Sequence, residues 1–199
     1  MLQVKGIVNS IFDSMTWLLS ETESNQVWIV DCGDISPIIE KIGNKTISGV
    51  LLTHAHFDHI YGINKLLEVF PDALIYTNAD GEKGLQNPKW NISRYHDDVE
   101  DFVISSPQNV RVIDKEGMLY IDDNLTVEVL FTPGHESSCL SFILGNNLFT
   151  GDAYIPGINT VVTFPRSNKQ QALESENELK LMEQHGYTIR AGHRVNNNI

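Results

Sequence analysis

Within Thr53-His54-Ala55-His56-Phe57-Asp58-His59 the chain places three histidines and one aspartate in six residues, directly after an apolar run. Imidazole nitrogens and carboxylate oxygens are the donors that hold divalent transition metals. On an extended chain residues i and i+2 point the same way, so His54 and His56 can grip one ion together. Where the backbone turns into a helix near Asp58, Asp58 and His59 aim elsewhere and can hold a second. A lone histidine is an ordinary surface or core residue; this density at the mouth of an apolar strand is not explained by packing.

Three later segments present the same donors after β-type runs: Thr132-Pro133-Gly134-His135, Phe149-Thr150-Gly151-Asp152 and Ala191-Gly192-His193. Five of the seven histidines fall at these positions, leaving His96 and His185 outside. The pattern His-x-His-x-Asp-His followed by these segments in this order resembles the metallo-β-lactamase superfamily. That resemblance implies an αββα sandwich, two mixed β-sheets flanked by helices, with the metals at one edge. It implies that His54, His56 and His135 hold one ion, that Asp58, His59 and His193 hold a second, and that Asp152 bridges them. Asp58 is the expected catalytic side chain as well as a ligand. The cofactor expected is a pair of divalent ions; zinc suits the donors, as do iron and manganese.

The chemistry implied is hydrolysis by a metal-activated hydroxide, which needs no serine or cysteine nucleophile. Ser137, Ser138 and Cys139 therefore read as turn and strand residues. Asp31 closes an early strand, where it either supports the metal loop or simply forms a turn. The complete ligand set looks most like the glyoxalase II group, which hydrolyses thioesters of glutathione, and Gly84 to Ser93 resembles a segment of those enzymes. Lys89, Arg94, Arg166 and Lys169 are candidates to meet a substrate carboxylate or phosphate, with ordinary solvated charge as the competing reading; Trp90 and Tyr154 could line a pocket or pack the core. Other chemistries the resemblance allows are an iron-dependent oxidoreductase such as a persulfide dioxygenase, a lactonase and a phosphodiesterase.

These side chains need a frame. Val4–Val8, Ser14–Ser20 and Gln26–Val30 read as strands. Ser36-Pro37 opens a helix that stops at Gly43, Ile47–Thr53 is a buried strand, Ile60–Phe70 has helical spacing, and Ala73–Thr77 is again a strand. Residues 80–109 lack a clear period and read as an irregular insertion packed by Trp90, Tyr95 and Phe102. Runs at Val110–Ile113, Met118–Ile121, Leu125–Thr132, Cys139–Leu144 and Asn147–Thr150 follow, then a helix over Lys169–His185 and a strand over Tyr187–Arg190. Strands followed by helices occur twice, which suggests two similar halves facing each other within one domain spanning 1–199.

The 199 residues, 41% hydrophobic and 20% charged, suit a globular chain and exclude a disordered or collagen-like one. Lys and Arg number 14 against 26 Asp and Glu, a formal charge of −12 that repels polyphosphate backbones. The expected partner is a small-molecule substrate, with neither nucleic acid nor membrane involved, and the oligomeric state is not legible. Two scattered cysteines, Cys32 and Cys139, favour a reducing cytoplasm over a disulfide framework.

Overall fold

Strand Leu125–Phe131 alternates Leu125, Val127 and Val129 inward with half-buried residues between them, the period of a sheet covered on one face. Strand Leu140–Leu144 is buried at every position, as expected of a strand covered on both faces. These two signatures recur through a computed structural model that describes residues 1–122 and 125–195.

The strands are β1 (Leu2–Val8), β2 (Met15–Glu21), β3 (Gln26–Val30), β4 (Thr46–Leu51), β5 (Leu74–Thr77), β6 (Val110–Val112), β7 (Gly117–Asp122), β8 (Leu125–Phe131), β9 (Leu140–Leu144), β10 (Asn147–Gly151) and β11 (Thr188–Ala191). The helices are α1 (Ile35–Ile42), α2 (Phe57–Ile60), α3 (Ile63–Val69), α4 (Ala79–Leu85) and α5 (Lys169–Gln184). Among the described residues, the first sheet runs β1-β2-β3-β4-β5-β6 and the second β11-β10-β9-β8-β7. Both are mixed: β1–β2–β3 pair antiparallel and β3 through β6 parallel, whereas in the second sheet only β10–β11 is parallel.

Three apolar clusters separate four layers. Ile29, Val50 and Ile75 meet Ile38, Ile63 and Leu66 of the helices on the outer face of the first sheet. Leu19, Val30 and Leu51 meet Val127, Val129, Phe142 and Phe149 between the sheets. Ile143 and Leu148 meet Leu179 of α5 outside the second. The expected αββα sandwich is the architecture found.

Several local expectations are corrected. The helix expected over Ile60–Phe70 is two helices, α2 and α3. They break at Gly62, where a Cβ would lie 1.8 Å from the Gly33 carbonyl oxygen; only a bare Cα lets the two backbones come so close. The segment 80–109, read as irregular, is entered through α4, capped by the Asn78 side chain accepting from the Asp80 and Gly81 amides. Gly81 and Gly84 hid this helix by depressing its propensity. They are required because a Cβ at Gly84 would lie 2.6 Å from that of Ala55, between His54 and His56. Phe102 does pack in this segment, while Tyr95 is 61% exposed. The two halves are unequal, since α5 alone covers the second sheet.

Candidate metal centre

The carboxyl ends of β3, β4, β8, β10 and β11 meet at one edge of the sandwich, the usual position of sites on sheets of this kind. Beyond them lie Asp31, the loop Thr53–His56 leading into α2, His135, Asp152 and His193. All seven side chains expected from the sequence come together. One ligand atom each from His54, His56 and His135 lies within 4.8 Å of the others; the same holds for His54, His59 and Asp152, and for Asp58, His59 and His193. His135 Nε2 is 3.0 Å from His56 Nδ1, and His59 Nε2 is 3.3 Å from His193 Nε2. Asp152 reaches both groups: its Oδ2 lies 3.5 Å from His135 Nε2 and 3.2 Å from His193 Nε2, and its Oδ1 3.5 Å from His59 Nε2. Bonds of about 2.0–2.1 Å in a tetrahedral shell separate donor atoms by about 3.4 Å, so these spacings suit a small divalent ion.

The hydrogen bonds on the outer side of each ring fix which nitrogen is free. His135 Nδ1 donates to the Val161 carbonyl at 2.8 Å and His193 Nδ1 to the Phe12 carbonyl at 2.9 Å. His59 Nδ1 donates to Asp31 Oδ2 at 2.9 Å. The Thr53 hydroxyl donates to the same Asp31 oxygen at 2.7 Å, so it accepts from His54 Nδ1 at 3.1 Å. With the outer nitrogens protonated, four imidazoles turn Nε2 lone pairs toward one centre, and outer-sphere partners of this kind orient metal ligands. Three buried side-chain atoms find no hydrogen-bond partner among the described residues: Thr77 Oγ1 and, at this centre, His54 Nε2 and Asp152 Oδ1. Buried polar atoms are rarely left so, and a cation explains the latter two.

Charge supports the same reading. Burial, then neighbouring His59 and His56, holds His54 far below the usual imidazole range, and burial with His135 takes His56 to about 4. Against the cost of burial, Asp58, Asp152 and Asp31 hold His59 well above that range, and Asp152 and Asp58 take His193 to about 10. Although burial opposes it, Asp58 and Asp152 are kept ionised by His59 and His193. Two neutral imidazoles, two protonated ones and two carboxylates, with protons where metals would sit, make a cation site in its proton form.

Asp31, only 1% exposed, is a supporting residue and more than a turn former: it accepts from the Thr53 amide at 2.8 Å, from the Thr53 hydroxyl and from His59. Cys139 is buried with its thiol pushed far up by that burial, so it is no nucleophile. Arg94 pairs with Asp101, and Arg166 pairs with Glu136 at 2.7 Å, so neither is a free cation awaiting a substrate. Tyr154 is buried, its hydroxyl donating to Glu183. Sequence reading missed Glu136, Phe164 and the turn that holds His193. In that turn Phe12 and Asp13 adopt φ of 54° and 53°, a strained pair costing roughly 1 kcal/mol or more per residue, and a Phe12-Asp13 pair carries no sequence signal for it.

A family model described as the metallo-beta-lactamase superfamily matches residues 14–193. A hydroxyacylglutathione hydrolase of Francisella philomiragia is 36% identical over 156 residues, covering 76% of this chain and 52% of its own. The chain thus spans about half the length of the curated relatives it matches. Among solved structures, the B3 metallo-beta-lactamase BLEG-1 superposes with a TM-score of 0.87 at 23% identity, covering 97% of this chain and 92% of that one. TTHA1623 in a di-iron-bound form superposes at 0.76 and 21% identity, covering 96% and 93%. The four-layer fold, the convergence of histidines and carboxylates at the strand ends, and a family match over nearly the whole chain together make this protein a member of the metallo-beta-lactamase superfamily.

Proposed function

We propose that this protein is a binuclear metal-dependent hydrolase acting on a thioester, or a related ester, of a small molecule. The observation that carries the reading is the convergence of seven donor side chains whose free lone pairs face one another. In this reading His54, His56 and His135 hold one divalent ion, Asp58, His59 and His193 a second, and Asp152 reaches both. When bound, the pair lowers the pKa of a shared water from 15.7 to about 7 and so supplies hydroxide at neutral pH.

The chain's own groups do the rest. Asp58, kept ionised, is available to accept a proton from water at the centre. Its backbone carbonyl accepts from Ser14 Oγ at 2.8 Å, which fixes α2 and with it Asp58 and His59. The most open of these side chains are His193 at 20% and Asp152 at 12%, so substrate approaches from that side. A poor leaving group such as an amine must be protonated as it departs. A thiolate leaves without a proton, which favours a thioester over an amide. The relatives named hydroxyacylglutathione hydrolase point the same way. Zinc is the metal proposed, and the unpaired, buried Cys32 and Cys139 are compatible with a reducing cytoplasm.

The test is metal stoichiometry on untreated protein, followed by assay against thioesters, lactones, β-lactams and phosphodiesters. Two zincs with thioester turnover support the proposal; metal-loaded protein inert to the whole panel overturns it. A second reading, an iron oxidoreductase, is favoured by the structural neighbour in a di-iron-bound form. Bound iron with oxygen consumption would select it.

A further inference from the structure

Residues 153–168, between β10 and α5, contain no helix or strand, yet they are clasped onto the candidate metal centre. Val161 accepts from His135 Nδ1, Ser167 Oγ donates to the His135 carbonyl at 2.6 Å, and the Asn168 amide donates to the Gly134 carbonyl at 2.8 Å. The Phe164 ring stands edge-on to His56 and His135, with centroids 4.7 and 5.5 Å away. Long irregular segments beside a site are commonly lids.

Arg166 ties this lid down. Its Nε donates to Glu136 Oε1 at 2.7 Å, and its Nη2 reaches Ser137 Oγ and lies 3.3 Å from Asp80 Oδ2. The guanidinium carbon sits 3.7 Å from the Trp90 ring centroid, within cation–π range. Glu136 is 2% exposed, and its other oxygen accepts from the Ser138 amide and hydroxyl. Ser138 Oγ in turn accepts from the Ala55 amide at 3.0 Å, inside the His54–His56 loop. One arginine therefore joins the lid, the metal loop, α4 and the segment carrying Trp90. On the outer side packing does little of this work. There Asn159, Thr160 and Val162 border an open groove of about 420 Å3 against α5, crossed by a Thr160–Glu176 hydrogen bond of 3.2 Å.

On the inner side, Ile155, Ile158 and Val161 line a small open hollow beside His135 and Asp152, with about 30 Å3 of room for the centre of a water-sized sphere; Ile158 and Val161, 48% and 46% exposed, form its rim. That is room for about one or two water molecules. A two-carbon acyl group is about the most that lies there, and a longer one requires the lid to move. We infer that Arg166, through Glu136 and Trp90, is a positioning residue that pins segment 153–168 and thereby sets the acyl-chain length the centre accepts. This inference rests on the thioesterase reading above.

The experiment measures kcat/KM for acetyl to octanoyl thioesters of one thiol, using metal-loaded wild type, Arg166→Met and Arg166→Lys. It also follows hydrogen exchange in peptides spanning 155–166, an observable independent of turnover. Wild type should lose about tenfold or more between acetyl and octanoyl. Arg166→Met should flatten the series, through KM for the long chains more than through kcat, and speed lid exchange with metal content unchanged. Arg166→Lys, which keeps the ion pair without the planar stack, should fall between. If Arg166→Met does not fold, Ile158→Ala, which leaves the latch intact, should move the cutoff to longer chains. A flat wild-type series overturns the inference, as does an Arg166→Met protein, or failing that an Ile158→Ala protein, with the wild-type profile. Absence of any thioester turnover would sink the proposed function instead, and the exchange data would still decide whether Arg166 pins the lid.

Discussion

Replacing Asp31 with Asn changes one atom of similar size and reverses the hydrogen-bond relay behind two candidate ligands. Asp31 is buried and its φ of 57° is left-handed, a conformation Asn tolerates, so the backbone should stay in place. With the amide oxygen kept toward the Thr53 amide, Nδ2 takes the position of Oδ2 and faces two groups that now donate to it. His59 must then offer a lone pair at Nδ1 and carry its proton on Nε2. The Thr53 hydroxyl must turn its hydrogen toward His54 Nδ1, which moves the His54 proton to Nε2. Both inward nitrogens become N–H groups. Loss of one orienting partner costs about 10–100-fold in metal affinity, so two reversals should cost about 10²–10⁴-fold, or about 3–5 kcal/mol. The assay is competition with a chromophoric chelator at fixed pH, with thermal melting of the metal-free protein alongside. Thr53→Ser keeps the hydroxyl and should bind as wild type does. An Asp31→Asn protein that binds two metals within threefold of wild type would refute the tautomer argument.

Other outcomes follow from the same geometry. Metal binding near pH 8 should release close to two protons, from His59 and His193, and apparent affinity should climb with pH until His193 deprotonates at about 10; calorimetry in buffers of different ionisation enthalpy reads both. In metal-free protein the raised pKa of His193 contributes stability that is complete below about 6.5, declines above it and is lost as pH passes about 10, visible as a falling melting temperature. Stripping metal from a solution at about 1,000 times the Kd of each site should remove about 4 kcal/mol per site, about 8 kcal/mol for two, a drop in melting temperature on the order of 20 °C that re-addition reverses. Gly84→Ala forces a Cβ against Ala55, so it should weaken metal binding more than it lowers the melting point. Phe142→Ala, at the centre of the inter-sheet core, should cost about 3–5 kcal/mol in denaturant titration.

The sequence by itself determined the repeating, short-range features. Alternation along β8 and the largely apolar β9 announce half-covered and doubly covered strands, and the donors of His54–His59 lie so close in the chain that local geometry nearly forces them together. The later donors His135, Asp152 and His193 were legible because, each after a β-run and in this order, they resemble the superfamily's motifs. Tertiary structure alone decided what holds them. Asp31 serves both Thr53 and His59; Glu136 meets an arginine thirty positions away; His193 is anchored by a left-handed turn 181 residues earlier. The helix α4 was hidden for the complementary reason, because its glycines answer to Thr77 and Ala55 packed against them rather than to helix propensity. Periodicity records what a residue does with its chain neighbours. A single hydrogen bond or close approach across the fold leaves no period, so only the assembled layers reveal it.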